Sequence, residues 1–377
     1  MIPFNQPSIV GNELKYISEA IAAKKLSGNG KFTRKCNQFF EDKYGFHKCY
    51  LTNSCTAALE MCALLIDIKP GDEIILPAYT FVSTANAFLL RGTKLVFADS
   101  HTNEPNIDAD NLEELITERT KAIVVVHYAG VACNMNKILN LCSMNNIFLI
   151  EDAAQGIDGF YNETPLGSIG DLACFSFHDT KNIHSGEGGL LVVNNKYLSE
   201  RAEVIWQHGT NKSAFQRGEL DKYTWIDIGS SFMPSEITAA FLYGQLECLD
   251  KVQVKRKELW EKYYNGLKYQ LPQDKVSLPY IPEYARNTGH MFYLLFKGKE
   301  LRKAFIQFMK NNGVQVVFHY LSLNESEFFL SFNETSILNE ALKYENGIVR
   351  LPLFYELSER DVDFVVDQTL LFFNGLN

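Results

Sequence analysis

Between residues 41 and 195, short β-rich runs alternate with segments whose apolar residues recur at helical spacing, and this alternation restricts the chain more than any other feature. The runs fall at 48–51, 73–76, 94–98, 122–127, 147–152, 171–177 and 189–193, with helical patterns such as 56–66 and 135–145 between them. Strands joined through helices pair in parallel by crossover, so the pattern predicts an α/β fold with a mostly parallel seven-stranded sheet. Ligands of open sheets of this kind gather at the carboxyl ends of the strands. The rule selects residues 53–56, 77–81, 127–130, 152–155 and 178–181 for close reading.

The chain has 377 residues, more than one core usually serves, and two domains are expected. Residues 249–267 read as a long charged helix leading into a second pattern of strand (290–297), helix (301–311), strand (314–320) and closing helix (358–373). The expected division is a large domain over 1–250 and a small α+β domain over 251–377. With 36 basic and 45 acidic residues the formal charge is −9, which argues against nucleic acid as a partner but leaves room for an anionic small molecule in a locally basic pocket. The eight cysteines form no C-x-x-C pair, no His/Cys spacing suits a metal, and His127 has no second ligand nearby. No signal peptide or membrane-length apolar run is visible, so the expectation is a soluble cytoplasmic protein without a membrane partner.

Four features fall in chain order at the selected strand ends. Ser54, Cys55 and Thr56 stand at a strand-to-helix turn, where free backbone N–H groups and hydroxyls suit a phosphate. Phe81 offers a ring for stacking. Asp152, in Glu151-Asp152-Ala153-Ala154-Gln155, places a carboxylate where a cationic ring nitrogen would satisfy it. Lys181, ending Phe175-Ser176-Phe177-His178-Asp179-Thr180-Lys181, is a Schiff-base candidate, because burial favours the neutral amine that condenses with an aldehyde. Ser176 is a further phosphate donor. Each residue also has an ordinary reading: helix caps for Asp152, Ser54 and Thr56, core for Phe81, a solvated side chain for Lys181. The combination points to pyridoxal 5′-phosphate.

These phrases, with Gly186-Glu187-Gly188-Gly189 and Pro77-Ala78-Tyr79-Thr80-Phe81, resemble the sugar aminotransferases of the DegT/DnrJ/EryC1/StrS family across essentially the whole chain. The resemblance implies a fold-type I pyridoxal phosphate transferase in which Lys181 and Asp152 are catalytic. It further implies that Gln155 meets the ring hydroxyl, Phe81 stacks on the ring, and Ser54, Cys55, Thr56 and Ser176 surround the phosphate. Two departures stand out: many relatives carry Gly where Cys55 stands, and an Asn-containing phrase where Ile228-Gly229-Ser230-Ser231 stands. By resemblance Ser230 would reach the cofactor phosphate of a second subunit in a homodimer with shared active sites. The implied substrates are L-glutamate and a nucleotide-diphospho keto sugar. The stretches 127–133, 222–231 and 350–355 are most similar to members that aminate C4 of dTDP-4-keto-6-deoxyglucose. Lys212, Arg217, His319 and Tyr320 are the substrate-binding candidates, with solvated loop charges and core-edge aromatics as their ordinary reading. Related sugar dehydratases carry His in place of the lysine, and Lys181 argues against that activity. Amination at C3, a gluco product and a non-catalytic cofactor-binding regulator are the remaining alternatives.

Overall fold

The computed structural model describes residues 1–334 and 336–375. Its main sheet is built from β1 (Lys48–Thr52), β2 (Glu73–Pro77), β3 (Lys94–Ala98), β4 (Thr120–Val126) and β5 (Phe148–Asp152), then, after a short hairpin of β6 (Phe160–Tyr161) and β7 (Thr164–Pro165), β8 (Leu172–Ser176) and β9 (Gly189–Val193). Strand order is β1-β9-β8-β5-β4-β2-β3. Only β9 runs against its neighbours, so the sheet is mostly parallel, as the alternation required. All seven expected runs are strands, differing at their ends by one or two residues, the range over which hydrogen-bonded boundaries vary.

Period-2 alternation explains why both faces of this sheet are apolar. Ile74, Leu76, Val124, Ile150, Leu172 and Leu191 face one side, where the helix Cys55–Leu65 packs; Ile75, Ile123, Val125 and Leu149 join a separate core on the other.

The small domain holds β10 (Val276–Ser277), β12 (Phe292–Phe296), β13 (Val317–Phe318) and β14 (Ile348–Leu351) in the order β10-β12-β14-β13, while β11 (Ala285–Arg286) pairs back onto β6. Two expectations change here. The strand expected over 314–320 is only Val317–Phe318, because Val314 is drawn instead into a bridge with Ile2. The central partner of the sheet is β14, which residues 290–320 could not supply.

The helix Leu249–Leu267 joins the two units: Leu249 and Val252 lie in a large-domain core, whereas Leu259, Trp260, Tyr263 and Leu267 lie in the small-domain core. We propose the boundary at 250/251; Ile2, distant in the chain, pairs across it with Val314 of the small domain. Among the described residues no helix is long and apolar enough to cross a membrane.

Candidate active site

A cleft of about 570 Å³ opens at the carboxyl edge of the sheet, between it and the small domain. Ser54, Cys55, Thr56, Phe81, Asp152, Gln155, Ser176, Lys181, His319 and Tyr320 all line it, so residues 266 positions apart (320 − 54) meet in one space.

At one end of the cleft, β1 turns into the helix Cys55–Leu65. Ser54 caps that helix, its hydroxyl accepting the Ala57 N–H at 3.1 Å, and the Thr56 hydroxyl donates to Ser83 Oγ at 2.8 Å. The start of β9 lies so close to this turn that a Cβ on Gly189 would stand 2.3 Å from the Ser54 carbonyl carbon and 2.4 Å from the Cys55 nitrogen. Gly189 is thus explained by backbone approach. The loop that follows β8 is tied on both sides, Phe177 N–H donating to Gly188 O and Ser185 N–H to Phe177 O, each at 2.8 Å. Lys181 sits in that closed loop, half-buried. Burial lowers its amine from 10.5 to about 8; Arg350 pushes the same way, and Cys55 and Asp152 oppose.

Glu151 and Asp152 end β5 with opposite fates. Glu151 points away from the cleft and is saturated: it accepts the N–H groups of Gly167, Ile169 and Gly170 at 2.7, 2.8 and 2.6 Å, and His127 Nε2 lies 2.9 Å away. Because His127 Nδ1 accepts the Cys133 N–H at 3.2 Å, its proton resides on Nε2 and goes to Glu151. His127 is a structural residue.

Asp152, also buried, faces the cleft. It accepts the Thr84 hydroxyl at 2.7 Å and the Ala154 N–H at 3.1 Å. Since the Thr84 proton is committed to the carboxylate, the Thr80 hydroxyl donates to Thr84 over the 3.0 Å between them. Burial pushes the Asp152 carboxyl above its usual range against the opposing effects of Thr84, Ala154 and Lys181. A cation laid against it would restore the charged form.

Gln155 accepts the Ala129 N–H at 2.6 Å and donates to Tyr320 Oη at 3.3 Å, so it ties the cleft floor to the small domain. Ala129 adopts a left-handed φ of +57° to present that N–H, and Gly130 follows at +75°. A Cβ on Gly130 would meet Thr288 Oγ1 at 2.0 Å and the Gln155 carbonyl at 2.5 Å. Phe81 is 53 % exposed with its ring 6.0 Å from that of Tyr320. His319 Nδ1 pairs with the Tyr128 hydroxyl at 2.9 Å, and burial holds its imidazole well below the usual range.

Three expected site residues lie outside this cleft. Lys212 and Ser230 are exposed, and Arg217 is bound in ion pairs with Glu203 and Glu219 at 2.9 and 2.7 Å; none lines the cleft. His178 lines it, but His184 turns away to the Ser8 carbonyl at 3.1 Å. The lining residues to which the sequence reading gave no role include Thr80, Ser83, Thr84, His290 and Arg350. The i, i+4 hydroxyls of Thr80 and Thr84 were a usable signal, as was a lone arginine between Val349 and Leu351. His290 carried none. Its Nδ1 donates to Asn182 Oδ1 at 2.9 Å, because the Asn182 amide donates to Gln253 and Thr288.

The donor set fits a phosphorylated pyridine aldehyde: hydroxyls and a helix N-terminus for phosphate, a buried carboxylate with room for one cation, and an amine whose pKa burial draws down toward physiological pH. No group of three or more His, Cys, Asp or Glu suited to a metal occurs among the described residues.

Comparison with known proteins agrees. Residues 7–369 match the model of the DegT/DnrJ/EryC1/StrS aminotransferase family. The spore coat polysaccharide biosynthesis protein SpsC of Bacillus subtilis is 32% identical over 378 aligned positions, covering 97% of this chain and 95% of that one. Among solved structures, the aminotransferase TlmJ of Streptoalloteichus hindustanus superimposes with a TM-score of 0.91 at 27% identity, covering 100% of both chains. PseC of Helicobacter pylori, an aminotransferase involved in pseudoaminic acid biosynthesis, does so with 0.91 at 26%, covering 99% of each. The chain is thus a fold-type I aminotransferase that belongs to the DegT/DnrJ/EryC1/StrS family, and its cofactor is the pyridoxal phosphate that the cleft fits.

Proposed function

We propose that this aminotransferase moves an amino group from L-glutamate to a nucleotide-linked 4-keto-6-deoxy sugar, converting dTDP-4-keto-6-deoxyglucose to dTDP-4-amino-4,6-dideoxygalactose. The observation that carries the reading is the meeting of Lys181, Asp152 and the Ser54–Thr56 turn in one cleft, beneath a small-domain wall of His290, His319, Tyr320 and Arg350. Names of relatives support a sugar substrate: SpsC serves polysaccharide biosynthesis and PseC serves pseudoaminic acid biosynthesis. The stretches 127–133, 222–231 and 350–355 support the C4 amination.

When bound, pyridoxal phosphate supplies an aldehyde for the amine and a ring that withdraws electrons. Ser54, Thr56 and Ser176 would hold its phosphate, Phe81 would cover its ring, and Gln155 would meet its hydroxyl with the amide N–H that Tyr320 leaves free. Asp152, steadied by the Thr80–Thr84 chain, would hold the proton of the ring nitrogen. Lys181 Nζ, lowered to about 8, reaches its free base far more readily near neutrality than an ordinary lysine and would move the proton away from the donor's α-carbon. The same amine returns a proton to the sugar carbon in the second half of the cycle, from the side that fixes the product's configuration.

The proposed assembly is a homodimer with shared sites. Lys212, Arg217 and Ser230 lie on residues 207–231, whose Tyr223, Trp225, Ile226 and Ile228 are exposed. A partner's cleft is where those three would act, Ser230 on phosphate and the two cations on the nucleotide sugar.

The deciding experiment incubates the enzyme with L-glutamate and dTDP-4-keto-6-deoxyglucose and reads the product by NMR. A 4-amino sugar of galacto configuration is expected. A gluco epimer, a 3-amino sugar or no amino sugar overturns the assignment.

A further inference from the structure

His290 stands just before β12, where the chain enters the small domain, and its backbone is held on both sides. Its N–H donates to Thr288 Oγ1 at 3.2 Å, and its carbonyl accepts the Arg256 guanidinium at 2.7 Å. The side chain is held as well. Its Nδ1 lies 2.9 Å from Oδ1 of Asn182, the residue that follows Lys181 in the chain.

Backbone carbonyls at the far end of this network dictate which nitrogen of the imidazole carries the proton. A carbonyl can only accept, so Ile157 O and Thr288 O, each at 3.3 Å, fix the nitrogen end of the Gln253 amide. Thr288 O at 3.1 Å and Gln253 Oε1 at 2.7 Å then fix the nitrogen end of Asn182. What Asn182 turns to His290 is therefore oxygen, and the imidazole carries its proton on Nδ1. One proton is all it carries: burial, joined by the positive charges of Lys181, Arg350 and Arg256, holds the group well below its usual range. Nε2 is left as a bare acceptor on the wall of the cleft, without a partner among the described residues. His319 differs, because its partner is the Tyr128 hydroxyl, which can give or take a proton and so fixes neither nitrogen.

An acceptor that cannot change its role selects among the molecules that use the cleft. L-Glutamate brings two carboxylates, which only accept, and an amino nitrogen that goes to the cofactor. Phosphate oxygens accept as well. A keto sugar brings hydroxyl protons. Since His290 is bonded to the residue next to Lys181, its free nitrogen serves the part of the sugar nearest the reacting carbon. In a 4-keto-6-deoxy sugar the carbonyl carbon has two neighbours: C5 bears the methyl group and the ring oxygen, and C3 bears a hydroxyl.

We propose that His290 Nε2 accepts the hydroxyl on the carbon beside the sugar's carbonyl, and that Asn182 is the positioning residue that keeps this nitrogen unprotonated. This rests on the keto-sugar reading above and adds an element of specificity to it. The pairing belongs to the sugar half of the cycle and has no counterpart in the glutamate half.

The test takes the two halves separately in the cofactor-loaded enzyme. Aminated wild type, H290F, H290Q and N182A are mixed with dTDP-4-keto-6-deoxyglucose or with its 3-deoxy analogue, and half-saturation is read from the cofactor absorbance. L-Glutamate is mixed with the unaminated forms in parallel. In H290F the half-saturating keto sugar should rise about 20-fold, the scale of a hydrogen bond whose remaining partner is left unpaired, and that for glutamate less than about threefold. Wild type should weaken about 20-fold toward the 3-deoxy analogue, and H290F should then add less than about threefold, because both changes remove one contact. H290Q should recover part of the loss and N182A should show about fivefold. A purely structural role would not move the 15N NMR signal of labelled histidine: the His290 Nε2 resonance should be that of an unprotonated nitrogen in wild type and shift toward a tautomer mixture in N182A. If H290F does not fold, H290Q and N182A run through the same two sugars carry the prediction at smaller size. A 3-deoxy analogue bound as well as the parent sugar, losses that add, glutamate weakened as much as the keto sugar, or a protonated Nε2 overturns the proposal. Wild-type enzyme inert toward glutamate would instead overturn the transaminase reading, and wild-type enzyme that accepts glutamate but not the keto sugar would overturn the sugar assignment, taking the hydroxyl contact with it.

Discussion

The two walls of the cleft are built on different principles. On the large-domain wall nearly every polar group is already engaged: Ser54 caps a helix, Thr56 is bonded to Ser83, Asp152 to Thr84 and Ala154, and Gln155 to Ala129. On the small-domain wall, rings and imidazoles surround a guanidinium whose Nε has no partner. The difference matches what each wall would handle in the proposed reaction. A resident cofactor would be best met by groups locked in advance, whereas substrates that exchange in one space would meet the free Nε of Arg350 beside His290, His319 and Tyr320, each of which is held by one bond of its own.

The severest test of the contrast is Lys181→Ala. Transamination should fall below detection while the circular dichroism spectrum and melting temperature stay close to wild type; measurable turnover would break the large-wall assignment. Next comes Asp152→Asn, which keeps the shape and removes the charge. A loss of about 10²–10³ in kcat is expected, with little change in half-saturation for keto sugar, since the defect lies on the cofactor side.

A third test uses pH. Attack on the cofactor aldehyde needs the neutral Lys181 amine, whose deprotonated fraction grows about tenfold per unit below its pKa. The rate at which apoprotein takes up pyridoxal phosphate, followed by absorbance, should climb with pH and level off above about 8. A climb continuing toward the ordinary lysine value of 10.5 would show that burial does not act on this amine.

Thr84→Val should have a smaller effect. It removes the hydroxyl that donates to Asp152 and frees that of Thr80, leaving the carboxylate less well held; a kcat loss of about tenfold is expected, the scale of one hydrogen bond to a charged group. Smallest should be Tyr320→Phe, which removes only the 3.3 Å contact with Gln155 and should change steady-state constants by no more than about threefold.

Much of the large-domain wall was legible in the chain, because each piece is local. A β-run followed by a turn specifies a strand end, and the strand end specifies where Asp152, Lys181 and the Ser54–Thr56 turn project. The small-domain wall was read poorly for the opposite reason. Arg350 lies 169 positions (350 − 181) from Lys181, and its strand pairs with residues from two separated segments, Tyr293 and Val317. Nothing near it in the chain announces that it lacks an acidic partner. Lys212 and Arg217 show the converse, since composition suggested a substrate loop and packing put that loop outside its own cleft.

Glu151 and Asp152 give the sharpest form of the distinction. The residues themselves determined that two acids would end a buried strand with side chains on opposite faces, because alternation along a strand is a local property of the backbone. Only tertiary structure decided that three amides and an imidazole would saturate the first while the second kept a face open to a cation. Partners in a folded interior come from distant parts of the chain, and it is the satisfaction of a buried charge, more than its presence, that separates a structural carboxylate from a reactive one.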